Sequence, residues 1–135
     1  MLSLRAGQLL TAIDILDIVN WLGTILSSRR SAEIALLEYG DPEWKEFAQA
    51  KKEYWKDNPQ RAQSNNSLLF NHRPSRQQLE EIFTIMLEAG GSEPGFINGV
   101  AAKGRAPWFA GVNPCAEILL SSKSVCNLVE IDVAK

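Results

Sequence analysis

The run NNSLLFNHRPSRQQLEEIFTIMLEAGGSEPGFIN, residues 65–98, decides the fold class. Asn65-Asn66-Ser67 reads as a turn that leads into a short buried strand, Leu68-Leu69-Phe70. Pro74-Ser75-Arg76-Gln77-Gln78 then opens a helix, with Ser75 as its cap and Gln78 three residues on to close a capping box. Leu79, Ile82, Phe83, Met86 and Leu87 form that helix's apolar face, and Gly90-Gly91 ends it. Ser92 to Asn98 follows as a turn and a second strand. A strand, a helix and another strand within this length predict an α/β fold with a parallel pair.

The upstream sequence continues the alternation. Glu33-Ile34-Ala35-Leu36 is a β-like run. Asp41-Pro42-Glu43 starts a helix well: Asp41 can cap, Pro42 fits the first turn and Glu43 favours the positive helix end. That helix is expected to run to about Trp55, with a solvated face of Lys and Glu, until Asn58-Pro59 stops it. Leu9 to Leu26 has apolar residues at helical spacing, with Asp14 and Asp17 between them and Gly23 weakening the end. It is expected to be a core-packing helix. The four tryptophans are scattered, so they read as core or rim residues and not as a stacking platform.

Downstream, Gly99 to Gly111 is rich in Gly and Ala and is expected to be a mobile loop. Arg105 within it is a possible phosphate contact, although a solvated loop arginine is the plainer reading. Val129-Glu130-Ile131-Asp132-Val133 reads as a closing strand.

Between them lies Asn113-Pro114-Cys115-Ala116-Glu117-Ile118, followed by Cys126-Asn127-Leu128, and these hold both cysteines of the chain. A thiol can carry a radical or a nucleophilic charge, a carboxylate can take a proton, and an amide can hold a hydroxyl. Taken singly these signals are weak, since buried thiols and Asn-Pro turns are common. Together they form a strong constellation. The two cysteines and one distant His72 lack the paired spacing of a zinc site.

The whole pattern resembles the catalytic loop of ribonucleotide reductase large chains. The short gap between the cysteines is similar to the adenosylcobalamin-dependent class II branch, and Cys126-Asn127-Leu128-Val129-Glu130 is most similar to its monomeric, triphosphate-reducing members. Ala116 stands where the family often has glycine. The resemblance implies roles for four residues. Cys115 would become a thiyl radical and remove the 3′ hydrogen of a ribose, Glu117 would take the 3′ hydroxyl proton, and Asn113 would hydrogen-bond the substrate hydroxyls. Cys126 would be half of the dithiol that reduces the substrate, with its partner outside this chain.

The same resemblance extends to Ser27-Ser28-Arg29-Arg30-Ser31-Ala32. Alone, this is a basic turn after a helix, where arginine suits the helix dipole. Beside the cysteine motif, Ser28, Arg29, Arg30, Ser31 and Ala32 resemble the loop that reads the substrate base and reports the bound effector, using the fork of arginine. The Asn65-Asn66-Ser67 strand and the Glu93-Pro94-Gly95 segment resemble strands lining the family's barrel.

The implied fold is part of a ten-stranded α/β barrel, about half of it, with residues 27–36 as specificity loop and strand and 113–128 as the radical-cysteine loop. The implied reaction is reduction of ribonucleoside triphosphates to deoxyribonucleotides with adenosylcobalamin. Its partners would be the nucleotide substrate, a deoxynucleotide effector and a thioredoxin-like dithiol. A diphosphate-reducing core of class I or dimeric class II is one alternative, and a catalytically inactive fragment that associates with a full reductase is the other. The family's catalytic chain is several times longer, so the expectation is a fragment of the core. It would be inactive alone, or would associate with the missing parts as separate chains. The cobalamin-binding region and the partner cysteine are expected outside it.

Bulk properties agree with a cytoplasmic globular piece. The chain has 135 residues, 45% of them hydrophobic, and a net charge of −2, so no basic surface points to nucleic acid. Charged residues interrupt the apolar N-terminal segment before it reaches membrane-spanning length, and that segment lacks a signal-peptide cleavage pattern. Two cysteines suit a reducing cytosol.

Overall fold

The structure is a computed structural model and describes residues 5–26, 33–127, 129 and 131–133. Ser28, Arg29, Arg30, Ser31 and Ala32 lie outside the described residues, as do Leu128 and Glu130.

The frame is a three-stranded parallel sheet in the order β1-β2-β3, formed by Glu33–Glu38, Ser64–Phe70 and Gly95–Asn98. The expected parallel pairing is therefore present. The strand at β2 begins earlier than its turn-like start suggested: Asn65, Asn66 and Ser67 are themselves paired, opposite Ile34, Ala35 and Leu36. α1 (Ala12–Leu26) precedes β1; α2 (Trp44–Ala48), α3 (Tyr54–Asp57) and a 3₁₀ turn (Pro59–Gln63) link β1 to β2; α4 (Arg76–Ala89) links β2 to β3.

One face of the sheet carries the core. Ala35, Leu37, Leu68 and Phe70 meet Leu16 of α1, Trp44, Phe47 and Ala48 of α2, and Ile82 and Ile85 of α4. Tyr39 sits among aromatic rings, with centroids 4.8 Å from Trp44 and 5.0 Å from Phe70. Phe96 continues the stack at 5.7 Å from Phe70. The other face, carrying Asn65, Ser67 and Leu69 of β2, is the more open one, and Asn65 is exposed there.

α4 forms as its caps dictate. Ser75 Oγ accepts from Gln78 N and Gln78 Oε1 accepts from Ser75 N, while Gly90 takes the left-handed φ of 68° that ends the helix. Its inward stripe is turned from the expected one. Ile82 and Ile85 are buried, whereas Phe83 and Leu87 are exposed.

Four further expectations are corrected. The helix from Asp41 to Trp55 is two short helices. Asp41 Oδ1 does accept from Glu43 N at 2.8 Å, but the chain leaves the helix after Ala48, and Glu53 adopts a positive φ of 49°. Gly99 to Gly111 is not simply a loop: α5 occupies Gly99–Arg105, capped by Asn98 Oδ1 accepting from Ala101 N at 3.0 Å. Gly99 packs closely against the end of β2, where a Cβ would lie 3.1 Å from the Phe70 carbonyl oxygen. Residues 129 and 131–133 are not in a strand, and no strand among the described residues pairs with them. The α/β class is as expected, and no closed barrel is formed among the described residues. They make the parallel sheet and a separate antiparallel hairpin, β4 (Gly111–Val112) and β5 (Leu119–Leu120).

The fourth concerns α1, whose polar side faces inward. Asp14, Asp17 and Asn20 are buried beside Leu16, while Ile15, Val19, Leu22 and Ile25 are exposed. The cause is Arg61, which grips Asp17 with two bonds of 2.6 Å and donates a third to the Ala50 carbonyl. Gln60 Nε2 adds a bond of 3.0 Å to Asp17. A charge pair so nearly removed from water is a strong anchor once its lone pairs are filled.

Candidate functional site

The β4–β5 hairpin exists to hold a six-residue loop, Asn113 to Ile118. Each of its strands has two residues, so the ladder alone does little to shape the tip. Asn113 supplies the rest. It is 4% exposed. Its backbone carbonyl accepts from Ala116 N at 2.8 Å, its N–H donates to the Ile118 carbonyl at 3.3 Å, and its side-chain Oδ1 accepts from Ile118 N at 3.0 Å. Ala116 completes the turn with φ of 66°, a left-handed value that explains why glycine would suit this position.

Because Oδ1 takes a backbone N–H, the orientation of the Asn113 amide is determined by its partners. Its Nδ2 must face the other way, and it donates to Cys126 Sγ at 3.8 Å. The structure thus brings Asn113 and Cys126 together. Cys115 is exposed at the loop tip, Glu117 is also exposed, and Cys126 is half-buried.

Two side-chain connections were not read from the sequence. Asn65 Nδ2, on the open face of β2, donates to the Pro114 carbonyl at 2.7 Å, immediately before Cys115. Behind β2, Glu93 joins Lys51 at 3.0 Å and accepts from Asn66 N at 3.3 Å, while Lys51 also donates to the Ser64 carbonyl. The available signal was the amide pair Asn65-Asn66, since asparagine is depleted in strands and needs a reason to be there. Arg105 ends α5, where a cation suits the helix C-terminus, and it is exposed.

Two cavities of about 310 and 230 Å³ lie elsewhere, one between α1 and β1 and the other beside Lys51, Trp55 and Gly90. Neither is lined by Cys115, Glu117 or Cys126. No three His, Cys, Asp or Glu side chains gather as metal ligands among the described residues, and no helix among them is long and apolar enough to cross a membrane.

Comparison with known proteins agrees with the loop. The chain is 34% identical over 97% of its length to the adenosylcobalamin-dependent ribonucleoside-triphosphate reductase of Lacticaseibacillus paracasei. It is 35% identical over 97% to that of Lactobacillus gasseri, and 34% over 97% to that of Lactobacillus leichmannii. The chain is a relative of these reductases. It spans 18% of the length of the first two and 19% of the third. No family model and no solved structure matches it. The similarity to the reductases runs through nearly all of the chain, so it includes the helices and the sheet as well as the short cysteine pattern.

Proposed function

We propose that this chain is a segment of the catalytic core of an adenosylcobalamin-dependent ribonucleotide reductase, acting on ribonucleoside triphosphates. The observation that carries the reading is the loop built around Asn113, with a free, exposed thiol at Cys115, a carboxylate two residues later and a second free thiol at Cys126.

A ribose C–H bond is too strong for acid–base chemistry alone, and a thiyl radical makes an S–H bond of similar strength as it removes the hydrogen. Cys115 is the carrier, taking the 3′ hydrogen atom onto sulfur. Glu117 accepts the 3′ hydroxyl proton, which eases loss of the 2′ hydroxyl as water. Cys126 and a second thiol outside this chain give two electrons and become a disulfide. A dithiol protein of the thioredoxin kind then reduces that disulfide by exchange. Asn113 contributes its remaining amide N–H to the substrate hydroxyls while holding Cys126. Arg29 and Arg30 read the base, under the influence of a deoxynucleotide effector. The work is cytoplasmic.

Adenosylcobalamin, when bound to the whole enzyme, supplies the radical that Cys115 carries. The cavities of about 310 and 230 Å³ are at or below the small end of ligand pockets, and lie away from Cys115. These cavities do not suit that cofactor, whose site is proposed to lie outside the described residues. In the whole enzyme, the parallel sheet is part of a barrel wall, helices outside and the cysteine loop inside. The open face of β2 toward that loop supports this arrangement.

The test separates the two thiols in an enzyme complemented with the rest of a reductase. Cys115→Ser should abolish release of 3′ tritium from labelled substrate, because an O–H bond is too strong to exchange with the ribose C–H. Cys126→Ser should keep tritium release and lose normal deoxynucleotide yield. Full multiple-turnover yield from Cys126→Ser would overturn its role.

A further inference from the structure

We propose that Asn65 is a positioning residue for Cys115: it registers the cysteine loop on the sheet. The importance of that placement for catalysis rests on the function proposed above, but the clamp itself is read from geometry. The loop is held in two different ways. Asn113 acts within it, closing the turn on Ile118 and Ala116. That determines the shape of the loop and leaves its place relative to β2 open, because the supporting strands are two residues each. Asn65 supplies the tie to the sheet, through its 2.7 Å bond to the Pro114 carbonyl.

The choice of residues at both ends makes this tie effective. A carbonyl can only accept, so the Asn65 amide must turn its nitrogen to Pro114 and its oxygen away. Proline has a nearly fixed φ, so a restraint on its carbonyl is passed on stiffly. The atom after that carbonyl carbon is the backbone nitrogen of Cys115. Asn65 itself has little freedom, being paired in the parallel ladder opposite Ile34 of β1. Its neighbour Asn66 points into the Ser64 network, with Ser64 Oγ donating to Asn66 Oδ1 at 2.8 Å. The two adjacent amides therefore have separate tasks: one secures the buried start of the strand, and the other reaches across its open face to the thiol loop.

A nitroxide attached to Cys115 in the full chain, with Cys126→Ser to keep labelling to one site, reports the motion of the loop by electron paramagnetic resonance. Asn65→Leu, similar in size but without a donor, should at least halve the rotational correlation time of the label. Asn65→Gln keeps the donor one methylene further out and should recover much of the slow motion. A label at Lys123→Cys, with both native cysteines replaced by serine, should be unchanged by either substitution. If Asn65→Leu fails to fold, Asn65→Asp serves instead, since a carboxylate facing a carbonyl oxygen also lacks the donor. Unchanged label motion in a folded donor-less variant would overturn the clamp, as would equal loosening by Asn65→Gln. In a complemented reductase, Asn65→Leu should lower kcat by about 10- to 100-fold, as small misplacements do, with KM within about twofold. A mobile label with unaltered kcat would overturn the positioning role. Absence of 3′ hydrogen abstraction in the wild-type enzyme would instead count against the proposed function, leaving the label experiment to decide the clamp.

Discussion

Arg61 and Asp17 show how much one side-chain pair can decide. Their carboxylate and guanidinium are 5% and 12% exposed and meet through two parallel bonds. Arg61→Met would leave the Asp17 carboxylate buried with Gln60 alone, and should cost about 3–5 kcal/mol of stability in urea unfolding. Asp14 behaves differently. The Thr11 backbone N–H, and then its hydroxyl, hold this carboxyl below the usual carboxylate range, with Arg5 adding to the effect. A group whose folded pKa is depressed lends stability above its unfolded pKa of about 4, and that stability is lost as pH falls through the folded value. Asp14→Asn should therefore flatten the fall in melting temperature below about pH 4 and lower the melting temperature at pH 7. A parallel displacement of the whole curve would show that Asp14 is not a source of the pH dependence.

At the scale of elements, α1 carries the sharpest contrast. Leu16 is 5% exposed and Leu22 is 55% exposed, although both belong to one apolar pattern. Leu16→Ala should cost about 2–5 kcal/mol in denaturant unfolding, whereas Leu22→Ala should change stability by less than about 0.5 kcal/mol. Comparable costs would mean that the helix packs by its apolar stripe after all. The capped start and glycine end of α4 were legible from Ser75, Gln78 and Gly90, because capping uses neighbours in sequence. The break after Ala48 was not, since nothing in the Lys- and Glu-rich run announces the left-handed turn at Glu53. α5 was also missed. Its glycines suggested a loop, yet Asn98 caps it and Gly99 serves close packing against the end of β2.

At the scale of the molecule, the proposed chemistry needs a radical thiol and two reducing thiols, and this chain has two cysteines in all. We expect the chain by itself to give no deoxynucleotide with adenosylcobalamin, a ribonucleoside triphosphate and a dithiol. Product above the cofactor-free control, measured by chromatography, would show that the chemistry needs fewer thiols than proposed. What the sequence by itself determined is the α/β alternation and the parallel pairing. Those depend on short-range periodicity, on caps and on residue types close together along the chain. Only the tertiary structure decided which side of α1 faces inward, how Asn113 divides its amide between Ile118 and Cys126, and that Asn65 holds Pro114. Each joins residues whose hydrogen-bonding partner is chosen by folding: 44 positions separate Asp17 from Arg61, and 49 separate Asn65 from Pro114. A pattern in sequence states that a polar group must be satisfied when buried, and only packing says by whom.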